Sequence, residues 1–492
     1  MKPLVSMRAA LGDDDLLGKA LPGPSWSSWR TLLIAAMGEP LLDGERAVFA
    51  ELTGGREREP GEPAEEVHAI TGRRSGKTRA AATTATYLAT LCDHSDQLAP
   101  GERAVLPLLS ATTWQAMRAF NLIRGIFASA PALASLIESE TADTLRLRNA
   151  VDIECRPASF RTIRGATAIA FIADEVGFWF NAEQARNPDS EILAAARPAL
   201  ATLGGPLICV SSPYAKRGEL WNAYKRDYGP DGDPKIIVIN APSRRMNPLL
   251  SATVVQRAYE RDPQAAASEF GGQFRTDISG FLDFALVDAA VDRGVLVRPP
   301  RAGVEYRSAC DPSGGAHDSF TLAVAHDEGE IAVLDCLVEV KPPFNPTSAV
   351  ADMAATLKSY QLGSTVGDKY AAGWVVDAFA KVGVTYEHAE RDRSEAYLDA
   401  LPLFTSGRVR LLDNPRLVSQ FAALERRSTP VGRDRVDHGP GGRDDCCNAA
   451  ALALSARTRG YDHSMNWVPG DDEALPCRHP FFEQVGDLAR LR

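Results

Sequence analysis

The 492-residue sequence has no Cys-x-x-Cys pair, and its eight cysteines and eight histidines form no ligand-like cluster, so structural zinc is excluded. Several cysteines sit inside apolar runs, as Cys209 and Cys310 do, which suits reduced buried thiols in a cytoplasmic protein rather than a disulfide framework. No apolar stretch approaches the ~20 residues that a membrane span needs. Met1-Lys2-Pro3 leads into no signal-peptide core. No internal repeat is present, which argues against a solenoid. A net charge of −10 speaks against coating nucleic acid with the whole surface, but leaves room for local basic patches that grip phosphate. What remains is a globular composition, 45% hydrophobic and 24% charged, in a chain too long for one ordinary core.

The chain reads as α/β throughout. Residues 1–65 form a helical N-terminal extension, with Trp26, Trp29, Leu32 and Leu33 on a helix packed against the main domain. Residues 66–275 alternate short apolar runs with helical stretches, the pattern of a parallel sheet covered by helices. The runs are 67–70, 105–110, 151–155, 168–173, 207–211 and 236–239, and one helix is expected over 253–270. Residues 276–303 read as a linker. A second α/β domain spans 304–460 and opens with three close strands, the last two joined at Asp327-Glu328-Gly329. Helices are expected at 347–362, 371–382, 394–405 and 415–427, with a last one starting at Asp444 or Asp445. Residues 461–492 read as a tail.

The run Gly72-Arg73-Arg74-Ser75-Gly76-Lys77-Thr78 follows a strand and opens an Ala-rich helix. Small residues let backbone N–H groups turn inward around phosphate, and a lysine and a hydroxyl at the helix start complete a nucleotide-binding P-loop. Lys77 is then the β/γ-phosphate contact and Thr78 the magnesium ligand. Thr71 stands where glycine is usual. The apolar run Ile169-Ala170-Phe171-Ile172-Ala173 ends in Asp174-Glu175. In register with Lys77-Thr78, Asp174 reads as a second magnesium ligand and Glu175 as the base that orients the attacking water. Ser211-Ser212-Pro213 ends the next strand, as a γ-phosphate sensor or a plain turn. Arg73, Arg74, Arg161 and Arg164 are alternative transition-state or DNA-phosphate contacts.

The second domain carries spaced aspartates. Asp311 closes its first strand, Asp368 ends a later one, and Asp445 opens a helix. Carboxylates converging from distant segments can hold two divalent ions ~3.5–4 Å apart for phosphodiester cleavage. Asn448 shares the helix face of Asp445, and Asp318 is a peripheral candidate. Each acid also has a plainer use: Asp368, Asp444 and Asp445 as helix caps, Asp311 as a turn residue.

These motifs together resemble the large subunits of phage terminases. The P-loop, Asp174-Glu175 and Ser211-Ser212-Pro213 are similar to the ATPase half. Asp311-Pro312-Ser313-Gly314-Gly315-Ala316-His317-Asp318 and Gly442-Arg443-Asp444-Asp445 are similar to the ribonuclease-H-like nuclease half. The resemblance covers about residues 66–455. It implies a P-loop ATPase domain followed by a ribonuclease-H-like mixed-sheet domain. It also implies ATP and magnesium as cofactors, with manganese possible at the nuclease site. The implied partners are double-stranded DNA, a portal protein, a small terminase subunit and further copies of the chain in a ring, in the host cytoplasm and without a membrane. Relatives often carry His-Asp-Asp where this chain has Arg443-Asp444-Asp445, and Asp445 is favoured as the ligand because Asn448 shares its face. Two other classes remain in view: a stand-alone ATPase-nuclease of repair or defence, and a decayed prophage binding protein.

Overall fold

A computed structural model describes residues 2–158, 165–179, 188–368, 373–428, 434–439 and 442–456. Arg161, Arg164 and the tail at 461–492 lie outside the described residues. The chain divides into two compact units, the first running to Ser279 and the second starting at Gly280.

The first unit begins with helices α1 (Met7–Gly12), α2 (Ser27–Ala36) and α3 (Asp43–Leu52). Ser6 caps α1 by accepting from the Ala9 N–H. Helix α2 buries Trp29, Leu32, Leu33 and Ile34 in the same apolar cluster as the main sheet. Such an apolar helix is stable only inside a core.

The main sheet has eight strands: β1 (Glu66–Thr71), β2 (Ala104–Ser110), β3 (Ile137–Glu140), β4 (Thr144–Leu147), β5 (Val151–Pro157), β6 (Phe171–Asp174), β7 (Leu207–Ser211) and β8 (Ile236–Ala241). Their order is β8-β1-β7-β6-β2-β5-β4-β3. The pairings from β8 to β5 are parallel, and β4 and β3 extend the edge antiparallel. Helices α4 (Lys77–Thr90), α5 (Thr113–Ser129), α6 (Pro188–Leu200) and α7 (Gly218–Asp227) connect them. Covered on both faces, β6 and β7 are buried along their whole length, which is why they read as continuous apolar runs. The hairpin β3–β4 was not expected, although Leu145 and Leu147 do alternate inward against outward-facing polar neighbours.

Beyond β8 come α8 (Ser243–Met246), α9 (Ala252–Arg261) and α10 (Pro263–Glu269). The single helix expected over 253–270 is therefore two. Pro263 disfavours helical geometry at Asp262, whose side chain instead caps α10 through the Ala265 N–H.

In the second unit, α11 (Phe284–Ala289) and β9 (Val291–Asp292) occupy the segment read as a linker, and β9 joins the sheet. The remaining elements are β10 (Tyr306–Asp311), β11 (Phe320–Glu328), β12 (Ile331–Val340), α12 (Pro346–Ser359), β13 (Ser364–Gly367), α13 (Gly373–Lys381), β14 (Thr385–His388), α14 (Arg393–Thr405), β15 (Val409–Leu412), α15 (Pro415–Ala423), β16 (Leu424–Ser428), β17 (Asp434–His438) and α16 (Asp445–Ser455). The sheet order is β9-β15-β12-β11-β10-β13-β14. Strands β12, β11 and β10 are antiparallel, while β13 and β14 continue parallel to β10. This mixed order, with α16 packed on β10 and β11, is a ribonuclease-H-like arrangement. The helix expected over 415–427 ends at Ala423 because Leu424–Ser428 pairs antiparallel with β17, a partner that local propensity does not reveal.

Gly205 lies at the entry to β7, and a Cβ there would overlap the Ile169 carbonyl oxygen. Gly205→Ala is expected to destabilise the protein by about 1–3 kcal/mol through overpacking. Gly125→Ala, on an exposed turn of α5 with nothing near the added methyl, is expected to stabilise it by about 0.5–1 kcal/mol. Thermal melts of the two variants check both signs.

Candidate functional site

The loop between β1 and α4 is built on backbone reversals. Arg74 has φ 63° and Gly76 φ 94°, left-handed values that turn successive N–H groups toward one concavity. A Cβ on Gly76 would lie 2.6 Å from the Trp26 ring, and one on Gly72 would overlap Ser243 Oγ. Glycine is therefore required at both positions by close approach. Thr71, which replaces the usual glycine, is fully buried, and its Oγ1 lies 2.8 Å from Ser75 Oγ, so the hydroxyl is used inside the loop.

Lys77, 5% exposed, donates from Nζ to Ser212 Oγ at 2.9 Å and lies 3.1 Å from Glu175 Oε1. Thr78 Oγ1 donates to Asp174 Oδ2 at 3.2 Å. Strand β7 is inserted between β1 and β6, so the P-loop meets the acidic pair across one strand. Consecutive strand residues face opposite ways, yet Asp174 and Glu175 both meet the loop. The reason is the left-handed backbone of Glu175, φ 55°, which turns its side chain out of the alternation. The Ser212 N–H and the Ser211 hydroxyl reach Glu175 Oε2 at 3.3 and 3.4 Å, so the Ser211-Ser212 turn contacts both the lysine and the base.

Burial and the Glu175 charge push the Asp174 carboxyl up to about 6, against the pull of Lys77. Its Oδ1 is buried without a hydrogen-bond partner. A magnesium ion fits that orphaned oxygen and the Thr78 hydroxyl. Arg73 is exposed and paired with Glu269 at 3.2 Å. Beside the loop opens a cleft of ≈ 630 Å³ lined by Trp26, Arg74, Arg79, Leu249, Val254 and Phe270, with the Arg79 guanidinium 5.1 Å from the Trp26 ring centroid.

The acids of the second unit converge through strand register. Parallel pairing sets Cys310 of β10 opposite Gly367 of β13, so Asp311 and Asp368 leave adjacent strands at the same level. Thr321, the cross-strand partner of Asp311, donates through Oγ1 to the Asp445 carbonyl at 2.6 Å. Gln420 Oε1 accepts from the Cys446 and Cys447 N–H groups at 2.8 and 3.0 Å and so caps α16. These contacts fix Asp445 over β10. Asn448, read as a further oxygen ligand, donates through its amide to the Asp311 carboxylate.

The two adjacent acids are held differently. Asp444 Oδ2 lies 3.1 Å from Arg393 Nη1 and accepts from the Tyr397 hydroxyl at 3.0 Å. Asp445 Oδ2 has no hydrogen-bond partner and stands 3.8 Å from Arg416 Nη2, and Asn448 Oδ1 is likewise buried without a partner. Both acids line a cleft of ≈ 370 Å³ with Asp311, Asp318, Arg393, His438 and Arg443. Asp368 is absent from that lining; its own main-chain carbonyl accepts from the Tyr386 hydroxyl at 3.0 Å. Burial, then the charges of Asp444, Asp445 and Asp368, push Asp311 up to about 8, and the Asn448 hydrogen bond only partly offsets them. Asp445 is also raised, by burial first and then by Asp444 and Asp318.

Among the described residues no group of three or more His, Cys, Asp or Glu side chains stands ready to coordinate a metal. The donor set nevertheless fits divalent cations: crowded carboxylates, two orphaned oxygens and a carboxyl pushed far above its ordinary range are what a cation would relieve. Sequence reasoning missed Arg393, Tyr397, Thr321, Gln420 and His438, which carry no local motif and enter the site only by folding.

The architecture and the two sites define a chain with a parallel-sheet unit carrying a P-loop-like strand–loop–helix and a ribonuclease-H-like unit bearing clustered acids. No protein-family model matches the sequence, and no curated protein matches it. Solved structures similar to it are phage large terminases. The bacteriophage HK97 large terminase is 17% identical, with 86% of this chain and 99% of that chain covered at a TM-score of 0.37. The large terminase of a thermophilic bacteriophage, in complex with ADP, is 13% identical over 81% and 95% of the two chains, TM-score 0.35. The large terminase nuclease of thermophilic phage G20c with bound magnesium is 18% identical over 35% and 96%, TM-score 0.31. At such identities the functional reading rests on the residues themselves.

Asp311 gives a test that needs no activity. Its unfolded value is ~3.9 and its folded value about 8, so its contribution to stability is fully present below ~4 and lost as pH rises toward 8. In chelator at pH 8, Asp311→Asn is expected to raise Tm, on the order of 2–4 °C per kcal/mol relieved. Manganese should then stabilise the wild type and not the variant. Calorimetric scans with and without the metal read both effects.

Proposed function

We propose that this chain is the large subunit of a phage terminase, an ATP-driven motor that moves double-stranded viral DNA into a procapsid and a metal-dependent endonuclease that cuts concatemeric DNA. The observation that carries the reading is the presence, in one chain, of a P-loop with an acidic pair and of a ribonuclease-H-like sheet with convergent carboxylates. One site serves nucleotide hydrolysis and the other phosphodiester cleavage. Motor work on a genome of any sequence calls for phosphate contacts rather than base readout. The partners would be the DNA, the portal, a small terminase subunit and further copies of this chain in a ring, in the host cytoplasm.

In the first unit the N–H groups of Arg74, Ser75 and Gly76, which donate to no carbonyl of the described residues, and Lys77 bind the β- and γ-phosphates. The cleft beside the loop, lined by Trp26, Arg74 and Arg79, is the space open to the base. Glu175 orients the attacking water, and its contacts with Ser211 and Ser212 hold it on the γ-phosphate side. In the second unit Asp311, Asp368 and Asp445 face the scissile phosphate, with Asp445 rather than Asp444 as the ligand because Arg393 and Tyr397 already occupy Asp444. Divalent ions held by Thr78 and Asp174, and by the three nuclease aspartates, would neutralise phosphate charge and supply an activated water.

Plasmid cleavage with manganese or magnesium and without ATP should occur for the wild type and vanish in Asp311→Asn. ATP turnover should fall by roughly 10²–10⁴ in Glu175→Gln, the usual worth of a positioned base, while plasmid cleavage persists. Strand separation during ATP turnover would point instead to a repair or defence enzyme. Absence of both activities would point to a decayed remnant.

A further inference from the structure

Three consecutive carbonyls of the phosphate loop are each held from outside by a side-chain donor. The Arg73 carbonyl accepts from Ser243 Oγ at 2.6 Å, the Arg74 carbonyl from Asn247 Nδ2 at 2.9 Å, and the Ser75 carbonyl from Trp29 Nε1 at 2.7 Å. A trans peptide is planar, so its carbonyl and the following N–H point in opposite directions. Holding these carbonyls outward therefore aims the Arg74, Ser75 and Gly76 N–H groups inward. None of the three donates a hydrogen bond among the described residues.

The donors come from elements far apart in the sequence. Trp29 is on the N-terminal helix α2 and 1% exposed, Ser243 opens α8 and is fully buried, and Asn247 follows α8. The Asn247 amide is oriented from both sides: its Oδ1 accepts from the Leu249 N–H at 3.2 Å, so its Nδ2 faces the loop. Ser243 is held in turn by its N–H to the Phe270 carbonyl at 2.8 Å, and the Arg73 N–H donates to the Glu269 carbonyl. The Arg74 backbone lies in the left-handed region, which a non-glycine residue without external support would leave readily.

We propose that Trp29, Asn247 and Ser243 are positioning residues of the nucleotide site. They clamp three peptide planes so that the loop presents a cradle of N–H donors to an incoming di- or triphosphate. The proposal rests on the P-loop reading above. It assigns residues 1–65, at least through Trp29, to the nucleotide site rather than to packing alone. Preorganised donors bind an anion without paying again to order the loop.

The test is calorimetric binding of inorganic pyrophosphate, ADP and adenosine to the full chain, with wild type, Ser243→Ala, Ser243→Thr, Asn247→Asp and Trp29→Phe. Loss of one net hydrogen bond corresponds to a factor of about 2–13 in affinity. Ser243→Ala, Asn247→Asp and Trp29→Phe are expected to weaken pyrophosphate and ADP by about that factor and leave adenosine unchanged. Ser243→Thr, which keeps the hydroxyl, should restore binding, and KM for ATP should rise more than kcat falls. Asn247 is only half-buried, so its variant folds even where Trp29→Phe does not. Pyrophosphate affinities equal to wild type in Ser243→Ala and Asn247→Asp would overturn the proposal, as would equal weakening of adenosine. A wild type that binds neither pyrophosphate nor ADP would remove the P-loop reading itself.

Discussion

Parallel pairing of strands that are distant in sequence is the constraint on which both sites depend. In a parallel ladder the strand ends come out on the same edge, so residues that end separate strands gather there without being neighbours in the chain. In the first unit β1, β7 and β6 bring the loop, the Ser211-Ser212 turn and Asp174-Glu175 to one edge. In the second, the pairing of Cys310 with Gly367 does the same for Asp311 and Asp368. A register slip of one residue would turn these side chains to the opposite face and dissolve either site.

Each edge accumulates charge of one kind and manages it differently. In the first unit the charge is partly offset: Lys77 is shared between Glu175 and Ser212, and Thr78 satisfies one oxygen of Asp174 while the other stays without a partner. The acids of the second unit are not balanced. Arg393 and Tyr397 attend to Asp444, but Asp311 is crowded by carboxylates, with the Asn448 amide as its hydrogen-bond donor and Arg393 farther off across the cleft. A divalent ion is what would relieve that imbalance, because it would offset the repulsion among the carboxylates. Thr321 and Gln420 matter for this reason: they pin α16 against strands that its own acid repels.

Much of the architecture was legible. The apolar runs 67–70, 105–110, 207–211 and 236–239 became parallel strands, and of 168–173 the part from Phe171 did, since strands covered on both faces have no reason to alternate. The turn at Asp327-Glu328-Gly329 joined β11 to β12 because Gly329 supplies a positive φ. Where the reading failed, partners outside the local window decided. Leu424–Ser428 has helix-compatible residues and is a strand because β17 lies alongside it. Residues 284–292 lack the length of ordinary elements, yet fold as α11 and β9 because β15 offers an edge.

The sequence by itself determined the chemistry available: a lysine and a hydroxyl after a small-residue loop, an acidic pair at the end of an apolar strand, and aspartates at strand and helix ends. Those depend on residue type and short-range spacing, which a chain states openly. Tertiary structure alone decided how the groups are held. Which of Asp444 and Asp445 keeps an unpartnered oxygen depends on Arg393 and Tyr397 from α14. The direction of the phosphate-loop peptides depends on Trp29, Ser243 and Asn247, up to 218 positions apart (247 − 29). Hydrogen bonds act over about 3 Å of space irrespective of sequence distance, so such supports carry no signature that a linear reading can find.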